Sequence, residues 1–282
     1  AYKGIFASVG TPGTTPATSL VLLQAQQKLN EAAAGMNPRY ATVSPAANAG
    51  LVEGMKGLFN PTDTVSKQFK NGMMGTGVLG LDEINMSQSI LQHMTGTRDA
   101  AAATIVATTV ATQGATTINL SQASVTTTLT VGDVFTIAGV NAVNPQTRQS
   151  TGSLQQFVVT EANTASGGTW TSVKVLPAMY TSTNALATID AFPLINAVVT
   201  FLGTASTQYP QNLVYHKDSI TFATADLLLP QGVDMASRQV HNGISLRIVR
   251  QYDINNDRMP CRIDVLYGYS VIRPAMACRL WG

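Results

Sequence analysis

Two loops in this chain have residue types and spacings that could do chemistry. Gly75-Thr-Gly-Val-Leu-Gly80 spells GxGxxG, which in a dinucleotide site lets backbone N–H groups approach a pyrophosphate at a helix N-terminus. That chemistry needs a hydrophobic strand before the glycines and a helix opening within them. Here Lys70-Asn-Gly-Met-Met74 precedes and a strand-like run follows, so the glycines read as flexible turns. Asp253, Asn255 and Asp257 fall at the first three ligand positions of a calcium loop, and Asp264 falls at the twelfth. Such a loop requires Gly at its sixth position, where Arg258 stands, and a longer bidentate Glu at its twelfth. An Asx-rich hairpin connection accounts for the same residues.

The remaining reactive side chains are scattered. His93, His216 and His241 lack metal spacing, and no GxSxG elbow accompanies them. His216-Lys217-Asp218-Ser219 sets the residue types of a catalytic relay side by side, but neighbours on a strand point to opposite faces. Cys261 and Cys278 form neither a disulfide framework nor a zinc pattern. They read as free small hydrophobes, in keeping with synthesis in a reducing cytoplasm. Asn85-Met-Ser87 and Asn119-Leu-Ser121 match the glycosylation acceptor, but Ala1 to Phe6 has no signal-peptide layout. The expectation is a protein that is not an enzyme, with no catalytic residue, no metal and no cofactor.

Periodicity indicates the elements that carry these residues. Ile244, Leu246 and Ile248 alternate with Ser245 and Arg247, as in a half-buried strand. After the polar loop Tyr252 to Pro260, Cys261, Ile263, Val265 and Tyr267 alternate with Arg262 and Asp264, and the run continues until Pro274. Together they predict a large antiparallel hairpin, with Arg247 and Arg250 facing Asp264 across the strands.

Helices and strands alternate through the first third. A helix is expected from Leu20 to about Ala34, capped by Thr18 or Ser19, striped by Leu22, Leu29 and Ala33 and stopped by Gly35. Arg39 to Val43 reads as a strand, and Ser44-Pro45 opens a second helix to about Lys56. Asn60-Pro61 opens a third containing Val65 and Phe69, and Val78 to Met86 returns to strand. From Ala100 to Ser206 only five residues are charged, compared with thirteen in residues 1–99, and Thr, Val, Ala and Gly dominate. Strand-like pieces recur at Thr117–Leu120, Val125–Thr130, Val134–Ile137, Phe157–Thr160, Trp170–Val175 and Val198–Leu202. Turn-forming clusters separate them, so this stretch reads as an all-β barrel or sandwich. It is expected to fold on its own, inserted into an α+β layer built from both flanks.

Composition narrows the class. The net charge of +2 and 11% charged residues compare with about 25% charged in average globular domains. With 45% apolar residues, such a surface suits burial in an assembly. The chain has no basic cluster of the kind that binds polyphosphate, so duplex DNA should bind weakly and without sequence preference. No apolar run approaches the roughly 20 residues of a membrane span.

The last quarter carries a resemblance. Asn212-Leu-Val-Tyr-His-Lys-Asp-Ser-Ile-Thr-Phe-Ala-Thr-Ala-Asp-Leu-Leu-Leu-Pro230, Gly243 to Asp257, Cys261 to Gly268 and Arg273-Pro-Ala-Met-Ala-Cys-Arg279 closely resemble the major capsid (coat) protein of short-tailed, Salmonella-type bacteriophages. Looser similarity runs through Gly75 to Thr97 and Leu129 to Gly139. The resemblance implies an α+β, Hong Kong 97-like phage capsid fold with an inserted all-β domain. The corresponding division is 1–104 for the first part of the capsid domain, 105–206 for the insertion and 207–282 for the second part with the closing strands. Family members carry an N-terminal arm, an extended loop and a long spine helix ahead of this region, and Ala1 is expected near the end of that helix.

The implied function is a major capsid subunit that self-assembles into the icosahedral shell around the double-stranded DNA genome of a tailed phage. Implied partners are further copies in hexamers and pentamers, a scaffolding protein and a portal during assembly, and packaged DNA through non-specific contacts, without a membrane. The protein would be made in the host cytoplasm and reside in the virion. The alternative reading is another virion β protein, a decoration or tail component, suggested by the Thr-rich middle.

Overall fold

The computed structural model describes residues 2–54, 72, 74–98, 105–109, 111–124 and 126–282. They are mostly β, with two α-helices among the described residues. The chain separates into two compact units, Ala1–Ser219 with Arg273–Gly282, and Ile220–Ile272.

The first unit opens with β1 (Ser8–Val9) and α1 (Ser19–Glu31). Leu22, Ala25 and Leu29, three and four residues apart, form the buried stripe of α1. Gly35 is not its stop. Ala33 takes the left-handed conformation at φ 55°, while its N–H donates to Asn30 O (3.0 Å) and that of Ala34 to Leu29 O (2.9 Å). This is the closure usually given to glycine, and it ends the helix before Ala33 can join the stripe.

β2 (Arg39–Val43) leads into α2 (Pro45–Gly54), where Ser44 Oγ accepts from Ala47 N at 3.2 Å and Pro45 occupies the first turn. A Cβ on Gly50 would lie 2.6 Å from Pro16 O, so α2 lies against the 16–17 backbone too closely for a side chain there. The third helix expected from Asn60 falls, apart from Gly72, outside the described residues. β3 (Gly75–Val78), β4 (Leu81–Met86) and β5 (Gln92–Met94) follow.

The next eight strands are β6 (Ile105–Ala107), β7 (Ala115–Ser121), β8 (Thr128–Leu129), β9 (Val134–Val143), β10 (Ser150–Val159), β11 (Asn163–Thr164), β12 (Thr169–Met179) and β13 (Val198–Phe201). Six of them close into a barrel in the order β10-β12-β7-β6-β13-β9. Alternation along each strand sends Ile118, Leu120, Phe135, Ile137, Phe157 and Trp170 inward to form the barrel's own core. Phe135 lies 5.7 Å from Phe157 and 5.1 Å from Phe201 between ring centroids.

After the barrel, β14 (Gln208–His216) rejoins the first part of the chain. The last strand, β19 (Ala277–Trp281), lies between β1 and β14 in a seven-stranded sheet, ordered β1-β19-β14-β2-β4-β3 with β5 also on β14. All five residues of β19 are buried. Its alternation explains why: Cys278 and Leu280 join the core under α1 and α2, while Trp281 joins Val134, Val158 and Tyr209 at the barrel side.

The second unit is one four-stranded antiparallel sheet in the order β15-β18-β17-β16. Its strands are β15 (Ile220–Ala225), β16 (Met235–His241), β17 (Ile244–Arg250) and β18 (Cys261–Val271).

Candidate assembly surface

The structure disperses the motifs that looked catalytic. Gly75 and Gly77 lie within β3, and Leu79 and Gly80 (φ 53° and 69°) form the two-residue turn that joins it to β4. The glycines supply left-handed backbone for a hairpin, and no helix opens there to receive a phosphate. Lys217–Ser219 is a 3-10 turn following β14, so the expected strand alternation does not separate these residues. His216 Nδ1 accepts the backbone N–H of Asp218 at 3.2 Å and lies 3.8 Å from its carboxylate, while the Ser219 hydroxyl is engaged elsewhere, donating to Arg273 O at 3.1 Å. In the 253–258 loop, Asp253 accepts from Asn255 N (3.1 Å) and Asn256 Nδ2 (2.7 Å). Those bonds, the Asn256 amide foremost, hold its carboxyl below the usual carboxylate range. The Asx turn thus uses the oxygens that a calcium ion would need.

Among the described residues, no group of three or more His, Cys, Asp or Glu side chains could hold a metal ion. Among the same residues, no helix is long and apolar enough to cross a membrane. A pocket of about 250 Å³ lies among Phe6, Lys28, Glu31, Leu154, Pro177 and Leu186. Its walls are mostly apolar, and Lys28 pairs with Glu31 at 3.4 Å.

The distinctive surface is one face of the four-stranded sheet. In the observed register Leu246 lies opposite Val265 and Ile248 opposite Ile263, while Phe222 lies opposite Tyr269. Period-2 alternation adds Ile244 and Tyr267 to the same face. The expectation of a half-buried strand fails here: Ile263 is 69% exposed, Tyr267 58%, Phe222 56% and Leu246 45%, while Ser245, on the opposite face, is 5% exposed. Phe222 and Tyr267 stack with centroids 6.0 Å apart. Exposed apolar side chains gathered on one face in this way are a mark of an interaction site.

The opposite face carries the charged side chains, internally paired, beside the exposed Val240 and Leu266. Arg247 and Asp264 are register partners, and Arg247 Nε donates to Asp264 Oδ2 at 3.2 Å. Arg262, two residues from Asp264 on the same strand, donates to its Oδ1 at 2.7 Å. The hydrogen bonds from Arg262, then those from Arg247, hold the Asp264 carboxyl below its ordinary range. Arg250 does not share this face. Three residues from Arg247 is an odd step along a strand, and Arg250 pairs instead with Asp234 at 2.9 Å.

Sequence reasoning found the hairpin and its central ion pair but missed β16 and the bareness of the apolar face. Val240 and Met235 in β16 are separated by polar residues, which left no alternation to detect.

Comparison with known proteins gives this surface a context. The family model described as P22 coat protein, gene protein 5, matches residues 13–282. The major capsid protein of Acyrthosiphon pisum secondary endosymbiont phage 1 is 24% identical over 295 residues, spanning 98% of this chain and 68% of that protein. A solved structure described as the CUS-3 coat protein I-domain is 27% identical, covering 36% of this chain and 95% of its own, with a TM-score of 0.28. With the family model matching nearly the whole length, this chain belongs to the P22 coat protein family.

Proposed function

We propose that the chain is a capsid subunit that self-assembles into the icosahedral shell of a tailed, double-stranded DNA phage, and that its role is structural, not enzymatic. The observation that carries this is the bare apolar face of the four-stranded sheet, in a chain of the coat protein family. A shell needs many extended contacts that are individually reversible and collectively strong. An apolar face whose reverse side holds internally paired charges suits one that is covered only on assembly.

In this reading the fold is Hong Kong 97-like, with residues 105–206 as an inserted β domain and 1–104 and 207–282 as its host. The subunit forms hexamers and pentamers, meets a scaffolding protein and a portal during assembly, and touches packaged DNA without sequence preference. It is made in the host cytoplasm and ends in the virion. Negative-stain microscopy of the purified protein, with and without scaffolding protein, tests the proposal. Closed shells are the expected product; tubes would favour a tail protein, and an unchanging monomer would contradict assembly.

A further inference from the structure

The barrel and the seven-stranded sheet meet through a feature that shell formation alone does not explain. Two segments connect them, residues 92–98 on the way in and 202–211 on the way out, and they pair with each other as a stalk. β5 lies against Gln208 to Pro210 of β14. Beyond it, Thr95 N donates to Thr207 O and Ser206 N to Gly96 O, both at 3.1 Å. Arg98 Nη2 closes the stalk onto Gly203 O at 2.6 Å and Leu202 O at 3.1 Å. These bonds lie within the stalk and do not need the rest of the barrel.

A second set clamps the barrel's Gly132–Asp133 turn onto the stalk and the sheet. Asp133 is 1% exposed. Its Oδ2 accepts from Thr130 N (2.9 Å) and Gly96 N (3.1 Å), its Oδ1 lies 3.0 Å from His93 Nε2, and Arg98 Nη1 is 3.8 Å away. From the sheet, Arg279 on β19 donates through Nη2 to Gly132 O at 2.6 Å and through Nη1 to Gln211 Oε1 at 3.2 Å. Its guanidinium lies over Trp281 and Tyr2, 5.3 and 5.8 Å from the ring centroids. Burial lowers its pKa to about 10, so it remains a cation at neutral pH.

The fit is tight. A Cβ on Gly96 would lie 2.0 Å from Thr128 O and 3.0 Å from Asp133 Oδ2, and one on Gly132 3.2 Å from His93 Cε1. The network is also incompletely satisfied, because Arg98 Nη1 and Arg279 Nε are buried without a hydrogen-bond partner. A half-satisfied buried network holds less firmly than a complete one.

The barrel core and the core under the helices are separate clusters, and the apolar contact between barrel and sheet centres on Val134, Val158, Tyr209 and Trp281. The other polar ties across the junction are part-buried or exposed: Gln156 with Ser8, Lys28 with Ser153, Thr128 with Thr97 and Thr130 with Met94 O. We propose that the Gly132–Asp133 turn is a latch: with the Asp133 carboxylate seated the barrel is locked to the sheet, and without it the barrel swings on its stalk while both cores stay folded. Such a device would let one subunit fold present its barrel in more than one orientation.

The test places spin labels at Gln146 on the barrel and Asn85 on the sheet of the full chain, with Cys261→Ser to avoid a third label. Pulsed electron paramagnetic resonance then compares the wild-type latch with Asp133→Asn and with Gly96→Ala, whose methyl group crowds Thr128 O and Asp133 Oδ2 and wedges the latch open while Asp133 keeps its carboxylate. One narrow distance is expected with the wild-type latch, and a second population in each variant. Hydrogen exchange at Ile118 and Val173 in the barrel and at Leu213 and Leu280 in the sheet should stay at wild-type rates. A single unchanged distance in both variants overturns the proposal. Exchange rising throughout the barrel, or failure of both variants to fold, also overturns it, because the turn would then be part of the core.

Discussion

The barrel and the four-stranded sheet use the same residue alternation with opposite results. In the barrel Phe135, Ile137, Phe157 and Trp170 are fully buried; in the sheet Phe222, Ile263 and Tyr267 are more than half exposed. Closure makes the difference. Six strands bent into a barrel turn their apolar sides on one another and leave no edge unpaired. Four strands in an open sheet have one apolar face with nothing of their own unit to cover it, and β15 and β16 as free edges. Hydrophobic patterning therefore specifies which side of a strand seeks cover, but not whether the chain itself provides it. Here the barrel's cover is internal, and the sheet's is proposed to come from assembly.

The largest expected effect would break the comparison if it failed. Trp170→Ala removes the largest fully buried side chain of the barrel, and such truncations cost about 3–5 kcal/mol. Ile263→Ala, at 69% exposure, should change the stability of the unassembled chain by less than about 0.5 kcal/mol. Urea unfolding of both variants checks this. Equal losses would mean that Ile263 is already covered.

The cysteines sharpen the same contrast. Cys278 is buried beneath the helices, and burial pushes its thiol up to about 12, whereas Cys261 is exposed at the start of β18. A thiol reagent near neutral pH should therefore modify one cysteine per native chain and two in denaturant. Cys261 alternates in phase with Ile263 and Val265, so its labelling should fall when chains assemble.

The smallest effect concerns acid. The folded-state carboxyl of Asp264 lies below its ordinary value because Arg262 and then Arg247 hydrogen-bond its charged form. Its contribution is present above the unfolded carboxylate value and lost as pH falls through the lowered folded one. Amide protection in β17 and β18, taken relative to the intrinsic exchange rate at each pH, should accordingly fall from about pH 5 to about pH 3. Asp264→Asn should flatten that dependence.

The sequence made local features legible and long-range ones illegible. The Arg247–Asp264 pairing followed from alternation and a hairpin. Arg250 was misplaced because its partner, Asp234, lies just before β16, a strand whose polar residues carry no alternation. Six strands of the middle region were located from their apolar centres, but β9 and β12 extend beyond the expected Val134–Ile137 and Trp170–Val175, through Asn141 and Pro177. The short strand β6 was missed because it follows a run of alanines. The Asp133 turn could not be read at all, since its partners His93, Gly96 and Arg279 come from elements far apart in sequence. The exposure of the sheet face was equally hidden, because the alternation there is the same as in the barrel.

The central claim is that the apolar face of the four-stranded sheet is an assembly surface. Its most direct test is sedimentation and negative-stain microscopy of the wild type beside a Leu246→Asp, Ile263→Asp double variant, each mixed with scaffolding protein. Circular dichroism should first establish that both chains are folded. The wild type is expected to form fast-sedimenting closed shells while the variant stays small; shells of the same size and yield from the variant would contradict the claim.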